Sequence, residues 1–357
     1  MRALAAAGGL GPLALQALAL LTNGWEQAFG SAAHLMHFPR EQGFQGQREW
    51  HSGDIFARAL ITDSLHDANA LCGGQLDAMI ARELDYLVGA RRQDGVGAWS
   101  YFPELVELPP DIDDLAQVML ALMRGGRDPM PHCAAALQTA LQDGRHDDGA
   151  LDTWIVPRAR RSAAQQCQAL WVSQAWGGGA DVEVMANLLH VLGKLDARRH
   201  GSTIVAGANY IAARQLASGA WQSSWYHGPY YGCYQCLRLL AGIAPQHPAV
   251  QRACTFLLQT QLSNGAWALT AAGHADALSS ALAVLALYAS RRDDAIQAAR
   301  AGVCALAELG RSGPWPAVPF IRMDLGRADG KVRHTLTYQS ELVTAAFVLK
   351  AACALPH

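Results

Sequence analysis

The 357-residue chain carries 28 Lys and Arg against 30 Asp and Glu, a formal net charge of −2 and a pI near 6.7, so it lacks the basic excess that a nucleic-acid backbone demands. With 51% hydrophobic and only 16% charged residues it has the material for a large core and the wrong composition for a disordered or solvating segment. Length alone admits two average domains or one large repetitive one. The chain opens on an apolar stretch, Met1 to Leu21, in which Arg2 is the only charge. Gly8, Gly9, Gly11 and Pro12 interrupt it and no small-residue cleavage site follows, so it reads as neither a signal peptide nor a membrane span. Residues 1–30 are expected to form an apolar N-terminal segment containing a first outer helix.

From there the helical period recurs in pairs. In chain order the expected helices are Leu13–Ala28, Asp54–Ala70, Gln75–Arg91, Asp113–Met123, Pro131–Leu141, Asp181–Leu192, Thr203–Gln215, Tyr231–Leu240, Pro248–Gln261, Asp276–Tyr288, Asp294–Leu309 and Ser340–Ala352. The first of each pair is amphipathic. The second is more continuously apolar, as in Ser279–Leu287, which is what a helix buried all round requires. Turns of fixed spacing join the pairs: Gln215-x-x-x-Gly219-x-Trp221 and, 46 residues on, Gln261-x-x-x-Gly265-x-Trp267. Looser copies run from Gln93-Asp94-Gly95 to Trp99, from Gly149 to Trp154, and from Gly310 through Gly313 to Trp315. Six inner and six outer helices close one all-α toroid, a single (α/α)6 barrel over residues 31–357. The strand signal is weak everywhere.

Eight cysteines are scattered through apolar helical stretches, as expected of reduced, buried thiols in a cytoplasmic protein. Cys233 and Cys236 form the one close pair, and no second pair supplies the remaining ligands of a zinc site.

In such a barrel the inner helices run the same way, so their N-termini gather at one mouth. There the sequence places Asp54, Asp111, Asp113, Asp114, Asp181, Glu183, Tyr230, Tyr231, Asp276, Ser340 and Glu341. Single aspartates at these positions are ordinary helix caps. Capping explains Asp111-Ile112-Asp113-Asp114 less well, because three carboxylates within four residues repel one another, and one is expected to stay protonated near neutral pH. The helix dipole opposes that shift. Aromatic side chains crowd the same end: Tyr101, Phe102, Trp154, Trp225, Tyr226, Tyr230, Tyr231, Phe320 and Tyr338, with His227 among them. Arg58 and Arg238 on inner helices, and Arg322, Arg327, Lys331 and Arg333 before the last, are the candidate cations for an anionic substrate group.

The run Pro109-Pro110-Asp111-Ile112-Asp113-Asp114-Leu115-Ala116 resembles the D-x-D-D motif of class II terpene cyclases, and the Q-x-x-x-G-x-W turns are similar to the repeats of squalene–hopene cyclase and its relatives. The similarity runs from about Trp50 to Ala352. It implies that Asp113 protonates an alkene or epoxide of a linear isoprenoid or prenylated substrate, with Asp111 and Asp114 flanking it. The aromatic residues, His227, Arg58 and Arg322 would then line the substrate site. Aromatic faces stabilise a carbocation without capturing it, and protonating an alkene calls for a strong acid in a dry cavity. The resemblance implies no required cofactor, with Mg2+ relevant only to a diphosphate substrate. No D-D-x-x-D or N-x-x-x-S-x-x-x-E pair stands on an inner helix to ionise a diphosphate directly.

The chain departs from the family in having one barrel where most members pair two, which leaves the cavity roof to a loop, to a homodimer partner or second subunit, or to the N-terminal segment. Leu115 also stands where squalene cyclases carry a hydroxyl residue. Peripheral membrane contact is a further expectation. The rival readings are a zinc prenyltransferase, a carbohydrate-active barrel with paired carboxylates, and a non-catalytic toroid that binds a partner.

Overall fold

A computed structural model describes residues 9–325, 330–332 and 334–355. Its helices are α1 (Pro12–Glu26), α2 (Ile55–Leu71), α3 (Asp77–Gly89), α4 (Ile112–Arg124), α5 (Met130–Gln142), α6 (Ala163–Trp171), α7 (Val182–Ala213), α8 (Tyr230–Ile243), α9 (Pro248–Gln259), α10 (Ala277–Ser290), α11 (Asp293–Leu309) and α12 (Glu341–Ala354). Helix α7 holds two barrel helices, because Asp196 leaves helical geometry at φ −161° and ψ 88°. Its first half turns inward and its second half joins the outer wall. Helices α2, α4, α7, α8, α10 and α12 pack in sequence, and α12 returns to α2, so the inner ring is closed. The fold is an (α/α)6 barrel. The inner helices are largely buried because each touches neighbours left, right and behind. In α10 all but two of fourteen residues are buried.

The turns weld the outer wall. Gln215 Nε2 donates to the carbonyls of Gly219 (2.7 Å) and Ala249 (2.8 Å), tying its turn to the next outer helix, while the Trp221 indole donates back to Ile211 at 2.8 Å. Gln261 and Trp267 repeat this on Gly265, Ala298 and Leu257. Gly219 sits at φ +92°, and a Cβ there would lie 2.3 Å from the Arg252 carbonyl oxygen, so only glycine fits. Where chain ends meet, Gln16 of α1 donates to Gly310 (2.8 Å) and Gly313 (3.3 Å), closing the ring with the same chemistry. The Gly149 turn differs from expectation. Leu151 fills the tryptophan position, and Trp154 instead donates to the Gly177 carbonyl at 2.8 Å. Gln261→Ala is expected to cost about 1–2 kcal/mol by orphaning two carbonyls, read as a lowered urea midpoint with an unchanged slope.

Three two-stranded antiparallel sheets correct the expectation of weak strand structure: β1 (His34–His37) with β2 (Trp50–Gly53), β3 (Trp267–Ala268) with β4 (Ala275–Asp276), and β5 (Pro319–Leu325) with β6 (His334–Gln339). In β5 the alternation is direct, Ile321 and Met323 buried and Arg322 and Asp324 outward. Helix α6 was also not expected. A capping box, in which Ser162 and Gln165 satisfy each other, starts it. Among the described residues no helix is long and apolar enough to cross a membrane.

Candidate active site

Helix α4 begins where Pro109 and Pro110 deliver an extended chain to Asp111, at φ −129° and ψ 162°. The Asp111 carboxylate accepts from the backbone N–H groups of Asp113 (3.0 Å) and Asp114 (2.7 Å), so this residue is the helix cap. Capping by Asp111 leaves the other two carboxyls to be explained, and both are buried. Asp113 Oδ1 accepts from Asn187 Nδ2 at 2.7 Å, and its Oδ2 accepts from the Tyr226 hydroxyl. Both Asp114 oxygens are buried beside the Asp111 carboxyl.

Among the described residues no cation stands beside this cluster, so burial outweighs the helix dipole. It raises Asp113 to about 7, against the opposing hydrogen bonds from Tyr226 and Asn187. Burial lifts Asp111 to about 6 even though it accepts two N–H bonds, and it lifts Asp114 well above the carboxylate range, helped by the charges of Asp111 and Asp113. Asp113 is therefore an acid still substantially protonated near neutral pH.

Asn187 is itself oriented. Arg238, which can only donate, reaches its Oδ1 at 3.2 Å, and this turns the amide nitrogen toward Asp113. Tyr226→Phe removes a donor that favours the carboxylate. The pH above which activity falls is expected to rise by about 1 unit, and the rate to drop about tenfold because the acid is weaker; a pH–rate profile reads both.

The aromatic residues expected around this mouth are brought together as a packed plug. Tyr226 stacks on Tyr231 at 3.9 Å and meets Phe320 at 5.1 Å, and Phe320 continues to Phe347. Beside them His34 of β1 contacts Tyr101, Phe102 and Tyr338, and Trp154 meets Trp225 edge-on at 5.4 Å. The Trp225 indole donates to Asp181 at 2.6 Å. Glu183 accepts from Ser223, Ser224 and Trp225, and burial raises its carboxyl to about 7. Tyr230 faces outward toward Phe256, and His227 bonds Thr337 on β6 at 3.0 Å. Arg58 makes a two-pronged ion pair with Glu83 at 2.8 and 3.0 Å, and Arg322 pairs with Asp324 at 2.9 Å. Both arginines are thus engaged by carboxylates in this geometry. Arg327 and Arg333 lie outside the described residues.

The large cavity opens at the other mouth, where the inner helices end. It has a volume of about 1450 Å³, and none of the acidic, aromatic or arginine residues just placed lines it except Arg238. Its walls carry Arg124, Lys194, Arg238, Arg291 and Lys350 against two carboxylates, Asp63 and Asp67. Arg124 and Lys350 are clasped between those carboxylates at 2.5–2.8 Å. Lys194, Arg238 and Arg291 have no carboxylate partner among the described residues, so the cavity is net cationic. On α4 its lining begins at Leu120, seven residues beyond Asp113, or about 10 Å along the helix axis.

The sequence signature of the squalene-hopene cyclase C-terminal domain matches residues 75–321, about two thirds of the chain and inclusive of the aspartate cluster. The chain belongs to that family. A copalyl diphosphate synthase from Streptomyces cyslabdanicus is 25% identical over 164 residues, 45% of this chain and 26% of that protein. The ent-copalyl diphosphate synthase structure from Streptomyces platensis aligns with a TM-score of 0.56 and 22% identity over 84% of this chain and 50% of its own. A variant of the type II terpene cyclase MstE from Scytonema, solved with geranylgeranyl dihydroxybenzoate, aligns with a TM-score of 0.70 and 18% identity over 96% of both chains. The chain thus spans about a quarter and a half of the two synthases but nearly all of MstE. At these identities the structural likeness establishes a shared toroid.

In this squalene-hopene cyclase family member, no three His, Cys, Asp or Glu side chains converge as a metal site among the described residues. Cys233 and Cys236 are buried thiols on α8 whose pKa values burial raises. Sequence reasoning did not single out Asn187, Gln117 or the cavity-lining Asp63, Arg124, His190 and Lys350. Their signal is a polar residue interrupting an inner helix that is otherwise apolar.

Proposed function

We propose that the chain is a class II terpene cyclase in which Asp113 protonates the terminal alkene or epoxide of a linear isoprenoid bearing an anionic head group. The observation that carries the reading is a carboxyl enclosed by Asn187 and Tyr226 and raised by burial to about 7, at the N-terminal mouth of a family barrel. An acid held neutral by burial can give its proton to carbon, and the incipient carboxylate is met by two donors already in place. The cationic side chains Lys194, Arg238 and Arg291 at the open mouth suit a phosphate-type head, with the hydrocarbon tail running up the axis toward Asp113. Tyr226, Tyr231 and Phe320 present aromatic faces near the acid, where positive charge first develops. Asp111 holds the helix start, and burial beside the charges of Asp111 and Asp113 keeps the Asp114 carboxyl protonated.

Purified protein incubated with linear C15 to C30 isoprenoids, free and diphosphorylated, should convert a diphosphorylated member to cyclic isomers. Absence of cyclic product from all of them would end the proposal. Equal turnover of the free alcohols would remove the anionic head from it.

A further inference from the structure

We propose that His190 is the base that ends the cascade, accepting the last proton from the cyclised cation. The assignment rests on the class II reading and adds to it the residue that decides the product.

His190 follows Asn187 by three residues on the inner half of α7, so it shares the axial face that presents Asn187 to Asp113, about 4.5 Å further along the barrel. There it lines the cavity. Neither ring nitrogen makes a hydrogen bond among the described residues. The other lining groups are poorer bases in their present states. Asp63 and Asp67 are each clasped by Arg124 and Lys350. Ser290 donates to the Leu287 carbonyl. Tyr234, Tyr288 and Cys353 offer a neutral phenol or thiol. His190 therefore holds the one unengaged imidazole lone pair on the described wall.

Burial keeps this imidazole unprotonated. Arg238 of α8, Lys194 of α7 and Lys350 of α12 reinforce that state, while Asp63 of α2 opposes it, and the pKa falls to about 2. The lone pair is thus available at every working pH.

The step balances without a co-reactant. A C–H bond beside the cationic carbon breaks, its electron pair becomes the new C=C bond, and the proton passes to a ring nitrogen of His190. Asp113 has given one proton and His190 has taken one. The imidazolium, crowded by cations, releases its proton to water at the open mouth, and Asp113 recovers one from solvent. The net reaction is an isomerisation.

His190→Phe and His190→Gln, checked to melt cooperatively, are compared with wild type on the isoprenoid that wild type cyclises, in H2O and in D2O. Both variants should still consume substrate and take up deuterium at the initiating carbon, but lose the dominant wild-type alkene in favour of isomers deprotonated elsewhere or a water-quenched alcohol. If both variants keep the wild-type alkene as dominant product, or if both folded variants consume no substrate, the assignment of His190 is overturned and the class II reading stands. If wild type makes no cyclic product, the class II reading falls and this assignment with it.

Discussion

Asp113→Asn is expected to reduce cyclisation by at least about 10²–10³-fold, within the range that a positioned general acid supplies. The substitution is a clean one because the amide keeps the shape of the neutral carboxyl. Its oxygen can accept from Asn187, and its nitrogen can donate to the Tyr226 oxygen, so both neighbours remain satisfied. What disappears is the transferable proton. Substrate affinity should hold, since the cationic groups that suit a head group lie at the opposite mouth. Direct binding of an isoprenoid diphosphate, measured alongside product formation by gas chromatography, separates the two effects. Retention of full activity would remove Asp113 from the chemistry. Asp111→Asn should be milder, because an amide oxygen still caps α4.

The difference between these two aspartates shows what a sequence can express. Three acids in four residues announce a conflict, and the elimination of one by capping is visible only when Asp111 is seen accepting from two N–H groups. The toroid was readable because period and punctuation repeat. Gln215 and Gln261 bond the same two kinds of carbonyl at the same offsets, so one local physics is written twice. The cavity was not readable in that way. Helix N-termini are marked by Asp, Ser and aromatic residues, and attention goes to that mouth. Empty space, by contrast, is left by what neighbouring helices fail to fill, which no single segment encodes. The aromatic residues gathered at the N-terminal end do so by packing on one another, as Tyr226, Tyr231 and Phe320 do. The available clue was charge inside apolar helices. Asp63 in α2, Arg124 at the end of α4 and Lys350 in α12 have no reason to sit in an inner wall unless they meet one another or a ligand. The β5–β6 hairpin was missed because Arg322 and Asp324 read as a charged loop, when their alternation with Ile321 and Met323 is the period of a strand.

Keeping several carboxyls buried sets a pH dependence of stability opposite to that of a salt-bridged aspartate. Asp111 at about 6, Asp113 and Glu183 at about 7, and Asp114 well above its ordinary value are all raised on folding. Between about pH 4, where the unfolded chain loses these protons, and the folded values, the native state binds more protons than the unfolded one. Stability therefore falls as pH rises, by about 1.4 kcal/mol per unit for each group titrating only in the unfolded chain. Asp63 acts in the other sense. Lys350 and Arg124 hold it far below its usual range, so its contribution is intact above about pH 4 and is lost only in strong acid. The wild-type protein should consequently be most stable near pH 4 and weaken toward pH 8, more gently once Asp111, Asp113 and Glu183 titrate in the folded state. Asp114→Asn isolates one of these groups, because the amide has the shape of the neutral carboxyl and no proton to lose. At pH 4 the amide and the protonated acid should be nearly equivalent. At pH 8 the variant should be the more stable of the two, because folding of wild type must then keep a proton on Asp114 that the amide does not need. Urea titrations at the two pH values measure the difference directly. A gap that stays constant with pH, or a variant that is weaker at pH 8, would mean that Asp114 is ionised in the native state and that the cluster does not keep its protons.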